Sequence, residues 1–145
     1  MNKNDHDELI VAKSYFESYQ AYKRLYNAAL ESYKLIMNEL NGIKGIQYDK
    51  DVHITVSELQ KELRRHDLTE KKEKALLEMS RLLMHIRYVE NLISLMEDAE
   101  KEIIIAHYLD NKNQDEIAKE KGLSQMQIRT KINNILLKAI RKSKT

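Results

Sequence analysis

Asn113-Gln-Asp-Glu-Ile-Ala-Lys-Glu-Lys-Gly122-Leu-Ser124-Gln-Met-Gln-Ile128 holds two helix starts with one glycine between them. Asn113 suits an N-cap, and Glu116, three residues on, is its capping-box partner; Ser124 and Gln127 repeat the arrangement. Gly122 supplies the positive φ of a tight turn, and Leu123 plugs the corner after it. Ala118, Gly122 and Ile128 therefore follow the helix-turn-helix pattern. The small residue lets two helices approach, the glycine makes the turn, and the aliphatic residue anchors the second helix.

Working outward, Ile117, Leu123, Ile132, Ile135 and Ala139 complete a buried face for this unit. Ser124 opens the last helix, and Gln125, Gln127, Arg129, Thr130, Lys131, Asn133 and Asn134 remain on its outside. These side chains suit base edges and phosphates: Arg matches guanine, Asn or Gln matches adenine, and Lys and Thr match phosphate. Arg141, Lys142 and Lys144 follow as candidate clamps on the backbone of double-stranded DNA. From Gly122 to Thr145 there are six basic residues and no acid, so in a chain of net charge +2 the remainder is net acidic. That split points to a polyanionic partner; a basic helix end favourable to its own dipole is the plainer alternative. Upstream, a helix is expected near Ala99 to Leu109, carrying Ile103, Ile104, Ile105 and Tyr108, and Asp110-Asn111-Lys112 breaks it.

The amino-terminal part has a different rhythm. Ala12, Tyr15, Tyr19, Tyr22, Tyr26, Ala29, Tyr33, Ile36 and Leu40 alternate steps of three and four, which predicts a helix from about Asp7 to Leu40. Five of the eight tyrosines lie on this seam, where each hydroxyl needs water or a partner. The stripe fits a core far better than a base-stacking platform. Asn41-Gly42 is expected to end the helix, with Gly42 as a left-handed cap. The next stretch, about 41–67, is the least regular: Val52, Ile54 and Val56 alternate like a short strand, and Gly42 and Gly45 have the spacing either of a backbone-clamping loop or of a plain turn. A second heptad, Ala75, Met79, Leu82, Ile86, Val89, Ile93 and Met96, widened by Leu76, Leu83, Leu92 and Leu95, predicts a helix from roughly Leu68 to Glu97 with Thr69 as its cap. Two such helices can form an antiparallel pair or serve as dimerisation arms.

At Glu102-Ile-Ile-Ile-Ala-His-Tyr-Leu-Asp110 and Gln114-Asp-Glu-Ile-Ala-Lys-Glu-Lys-Gly-Leu-Ser124 the chain resembles region four of bacterial sigma factors. It looks most like small region-four-like proteins of phages and prophages of Gram-positive bacteria, including ArpU-type late-operon activators, many of which share a long helical amino-terminal part. The resemblance covers about Val89 to Lys142. It implies that the last helix sits in the major groove and, by position, implicates Gln125, Met126, Gln127, Arg129, Thr130 and Asn133. Lys131 departs from the pattern, standing where an aliphatic residue is usual. The chain leaves no room for the sigma domain that opens the promoter −10 element. The resemblance thus implies an activator or accessory regulator, with RNA polymerase as a candidate contact, rather than a complete sigma factor.

The fold expected is all-α: long heptad-patterned helices, as a hairpin or coiled coil, over 1–97 with an irregular linker at about 41–67, then a three-helix helix-turn-helix domain over 98–145. The function expected is a DNA-binding transcription regulator, homo-oligomeric through the heptad helices; the alternative is a helical protein-interaction adaptor that does not bind DNA. Catalysis is not expected. His6, His53, His66, His85 and His107 show no metal-ligand spacing, and no phosphate loop or nucleophile motif is present, so no cofactor or metal is called for. With no Cys, a polar amino terminus and only a short aliphatic cluster at Ile103–Ala106, a cytoplasmic protein without a membrane segment is the expectation.

Overall fold

The computed structural model describes residues 2–43 and 55–145, and among these there are helices and no strand. Two long helices, α1 (Lys3–Gly42) and α2 (Val56–Ser94), precede three short ones, α3 (Asp98–Ile104), α4 (Gln114–Lys121) and α5 (Gln125–Ser143). Val52, Ile54 and Gly45, which carried the strand and loop expectations, lie outside the described residues.

Several boundaries differ from the sequence reading. The first helix begins four residues earlier and runs to Gly42, which stays helical. Its end is closed by a tightened turn, the Ile43 N–H donating to the Leu40 carbonyl at 3.2 Å, so no left-handed cap forms at Gly42. The second helix starts at Val56, inside the stretch expected to be an irregular linker. The reason is a capping box the sequence reading passed over. The Thr55 hydroxyl accepts the Glu58 N–H at 3.1 Å, and the Glu58 carboxylate accepts the Thr55 N–H at 3.1 Å. The segment that follows is rich in Glu, Lys, Arg and Leu and lacks Gly and Pro, so nothing stops propagation. Thr69 is consequently mid-helix, and its hydroxyl donates back to the Arg65 carbonyl at 2.8 Å instead of capping.

The chain forms two compact units. One comprises Met1–Lys23 with Met84–Thr145; the other is Arg24–Leu83. In the first, α1 and α2 run antiparallel, as the pairings Tyr15–Tyr88 and Tyr22–His85 require. Its core joins Leu9, Ala12, Phe16 and Tyr19 of α1 to Ile86, Val89 and Leu92 of α2 and to the apolar faces of the short helices. Phe16 is fully buried, and its ring centroid lies 5.3 Å from that of Tyr108. Burial pushes the Tyr108 phenol up to about 12, with the Glu17 carboxylate adding to it. Nearby, Tyr19 donates its hydroxyl to Glu90 at 3.0 Å, which settles one of the seam hydroxyls within the protein.

In the second unit the helices are again antiparallel, with Arg64 bonded to Glu39 at 2.9 Å and Arg65 to the Ile43 carbonyl at 3.1 Å. Here the expected seam residues Tyr26, Ala29, Tyr33, Ile36 and Leu40 are only half-buried, and Leu76 is exposed. Two helices cannot enclose a heptad stripe from all sides.

Tyr15 and Tyr22 of the seam stack inside the protein and not on a partner. His85 is sandwiched between Tyr15 and Tyr22, with centroid distances of 3.8 and 3.7 Å and ring planes 17° and 19° apart. Its Nε2 is enclosed and finds no partner among the described residues. Burial lowers the His85 pKa, so the folded form binds fewer protons than the unfolded chain. Stability from this site is then full above the ordinary imidazole value of about 6.5 and declines as the pH falls below it. Urea midpoints between about pH 8 and pH 5.5 should fall less in His85→Phe, which keeps an aromatic ring without a titrating group, than in wild type. Equal declines would exclude His85 as a source of the acid sensitivity.

Candidate nucleic-acid interface

Each short helix begins with a local signal. Glu97 caps α3 in a box with Glu100, the Glu97 N–H donating to the Glu100 carboxylate at 2.9 Å. The helix then widens into a π-helical turn at Ile105–Leu109, where the Asp110 N–H reaches the Ile105 carbonyl at 2.9 Å. Asn111, at φ 58°, reverses the chain, and the Lys112 N–H closes on the Ala106 carbonyl at 2.9 Å. The His107 Nδ1–H donates to the Lys112 carbonyl at 3.0 Å, pinning the same corner. This is the break expected at Asp110-Asn111-Lys112.

At Asn113 the side chain accepts the Glu116 N–H at 2.8 Å, the forward half of the expected box. Gly122 then adopts φ 68° and ψ 33°, and the Leu123 N–H bonds to the Ala118 carbonyl at 2.9 Å, a Schellman closure with Leu123 just beyond it. A Cβ at Gly122 would meet nothing within 4 Å, so the requirement is conformational, not steric crowding. Gly122→Ala should cost about 1–2 kcal/mol from the left-handed backbone alone, with Gly122→Asn milder. Chemical denaturation of the three proteins measures this, and an unchanged Gly122→Ala would contradict it. At Ser124 both halves of the box close: Ser124 Oγ accepts the Gln127 N–H at 3.1 Å, and Gln127 Oε1 accepts the Ser124 N–H at 2.8 Å.

The three-residue pattern behaves as the spacing predicts. Ala118 and Ile128 are buried, α4 and α5 pack on each other across the turn, and Ile132, Ile135, Leu136, Ala139 and Ile140 continue the buried face of α5. Each such aliphatic side chain contributes about 1.5–3 kcal/mol relative to exposure. This phase leaves Lys131 exposed, so its departure from the sigma pattern does not disturb the core.

Ser124, Gln125, Met126, Gln127, Arg129, Thr130 and Lys131 are all exposed on the first turns of α5. No acid occurs in that first turn. Asn133 differs from the expectation: it is half-buried, and its Oδ1 is enclosed without a partner among the described residues, because it follows Ile132 toward the packed side. Arg141 and Lys142 are exposed but engaged. Arg141 bonds to Asp5 at 3.0 Å, Lys142 Nζ donates to the Leu95 carbonyl at 3.3 Å, and Lys144 bonds to Glu8. Lys138 pairs with Glu97 at 3.3 Å and Glu100 at 3.5 Å, and these carboxylates raise its pKa. Four of the six tail cations therefore face groups of their own unit. Arg129 and Lys131 form no ion pair among the described residues. Sequence alone could not separate these sets, since all six look alike along an acid-free helix.

Among the described residues no three His, Asp or Glu side chains are placed to hold a metal ion, and no helix is long and apolar enough to cross a membrane.

Residues 92–141, about a third of the chain, match the family model described as Sigma-70, region 4. The matched segment is a region-4-like helix-turn-helix that runs from the last three residues of α2 to two residues before the end of α5. No curated protein and no solved structure matches the chain.

Proposed function

We propose, on the premise of this region-4-like helix-turn-helix, that the protein is a transcription regulator that inserts the first turns of α5 into the major groove of duplex DNA. The carrying observation is that Arg129 and Lys131 stand exposed, and without ion pairs among the described residues, beside Gln125, Met126, Gln127 and Thr130, on a helix end with no acidic residue. The positive end of the α5 dipole adds to the attraction for phosphate. Ser124 sits at the phosphate-facing cap and Asn133 at the inner margin of this set. Arg141 and Lys142 lie about 18 Å further along the helix. As phosphate ligands they would exchange Asp5 and the Leu95 carbonyl for DNA oxygens.

The likeness to ArpU-type late-operon activators supports the finer reading of a phage or prophage activator, or a sigma-like accessory factor that touches RNA polymerase. Self-association is supported by the second compact unit. Its α1 seam residues Tyr26, Ala29, Tyr33, Ile36 and Leu40 are only half-buried, and Leu25, Leu35, Leu59, Leu63 and Leu77 are exposed. Sedimentation velocity of the full chain at micromolar concentration tests this, and a monomer throughout would remove it.

The deciding experiment is fluorescence anisotropy with labelled duplexes from the gene's own neighbourhood, titrated at two salt concentrations. Saturable binding that weakens as salt rises supports groove reading. No binding at either salt overturns it and favours the adaptor reading, in which the heptad helices take a protein partner.

A further inference from the structure

We propose, resting on the groove-reading role of α5, that Leu123, Met126, Gln127 and Thr130 form a subsite for one thymine: the notch receives its 5-methyl group, and Gln127 donates to its O4. Two independent observations meet here.

The first is an apolar notch on the otherwise polar, basic end of α5. It is lined by Leu123, Met126, Gln127, Thr130 and Lys131. Met126 is 74% exposed, while Leu123 is half-buried beneath it at the turn. Met126 and Thr130 are four residues apart, hence neighbours on one helical face. An apolar notch flanked by Arg129 and Lys131 on an acid-free segment needs an occupant that is itself apolar but carried on a polyanion. In the major groove only thymine presents such a group among the four bases, its C5-methyl.

The second is the state of the Gln127 amide. A backbone N–H can only donate, so the atom bonded to the Ser124 N–H at 2.8 Å is the carbonyl oxygen of Gln127. Closing the capping box therefore takes one lone pair of that oxygen and leaves both NH2 hydrogens available. A glutamine held by its oxygen presents its NH2 group as the freely available donor at the edge of the notch. It serves an acceptor, and thymine shows O4 directly beside its methyl. The notch and this donor together favour thymine at Gln127 over the adenine expected from its side-chain type alone.

Deoxyuridine is the matching probe, because it keeps O4 and base pairing and lacks only the methyl. A duplex is selected from a random pool with the full wild-type chain, then remade with deoxyuridine at one thymidine position at a time. The expected result is one position per bound chain at which wild type loses about fourfold in affinity, the value of one buried methyl. Met126→Ala, at an exposed site, should bind the two duplexes equally. Gln127→Glu keeps an acceptor for the Ser124 N–H and exchanges the donor for a second acceptor. It should move the preference at that position from thymine toward cytosine, whose N4 donates. Wild-type affinity that is indifferent to deoxyuridine at every position overturns the thymine subsite while leaving groove reading intact. Failure of wild type to select any duplex overturns both.

Discussion

Arg129→Ala is expected to lower the affinity for duplex DNA by about one to two orders of magnitude, with the melting temperature unchanged. The magnitude follows from the roughly 1–3 kcal/mol that a bidentate guanidinium contact to a base contributes. A phosphate contact at the same side chain would instead remove close to one unit from the log–log salt slope. Stability should hold because Arg129 is exposed and forms no ion pair among the described residues. Lys138→Ala is the informative contrast. Lys138 carries the same charge on the same helix, but Glu97 and Glu100 already hold it against α3. Its loss should leave DNA affinity within about twofold, since a paired cation releases few counterions from DNA. Anisotropy titrations of the two variants beside wild type measure both effects. Intact affinity in Arg129→Ala and in Lys131→Ala together would sink the assignment of α5.

Phe16→Ala should destabilise the compact unit that holds the helix-turn-helix by about 3–5 kcal/mol, the usual cost of removing a buried aromatic ring. Phe16 is completely buried and touches Tyr108 at the π-helical turn, although the two are far apart in sequence. Gln20 also bonds to the Leu109 carbonyl, so the first six turns of α1 grip the same corner from which α4 departs. Phe16→Leu refills most of the volume and should lose only about 1 kcal/mol. Urea unfolding followed by far-ultraviolet circular dichroism gives both values. A Phe16→Ala protein as stable as wild type would show that α1 does not belong to the core beneath the helix-turn-helix.

That second result bears on what could be read without coordinates. The resemblance covers about Val89 to Lys142, and the compact unit that holds it also takes in Met1–Lys23. The heptad of α1 shows only that one face is buried; it does not say against what. Ala12 and Tyr19 belong to the same seam pattern as Tyr26, Ala29 and Tyr33, but the former are buried and the latter half-buried. The difference lies in the neighbours: α3 to α5 accompany only the first group.

By itself the sequence determined the features whose partners lie within a few residues. Ser124 and Gln127 close their box, Asn113 receives the Glu116 N–H, Gly122 turns left-handed, and Ile128 and Ile132 set the buried face of α5. Such interactions depend on local backbone geometry, so spacing is sufficient to read them. Only the tertiary structure decided which of six similar cations are engaged within their own unit, how Asn133 turns, and what α1 supports. Arg141 meets Asp5 and Lys144 meets Glu8 across nearly the whole chain, and Phe16 finds Tyr108 by the same folding. Burial and pairing at these sites depend on what stands opposite in space, and no periodicity along one helix contains that information.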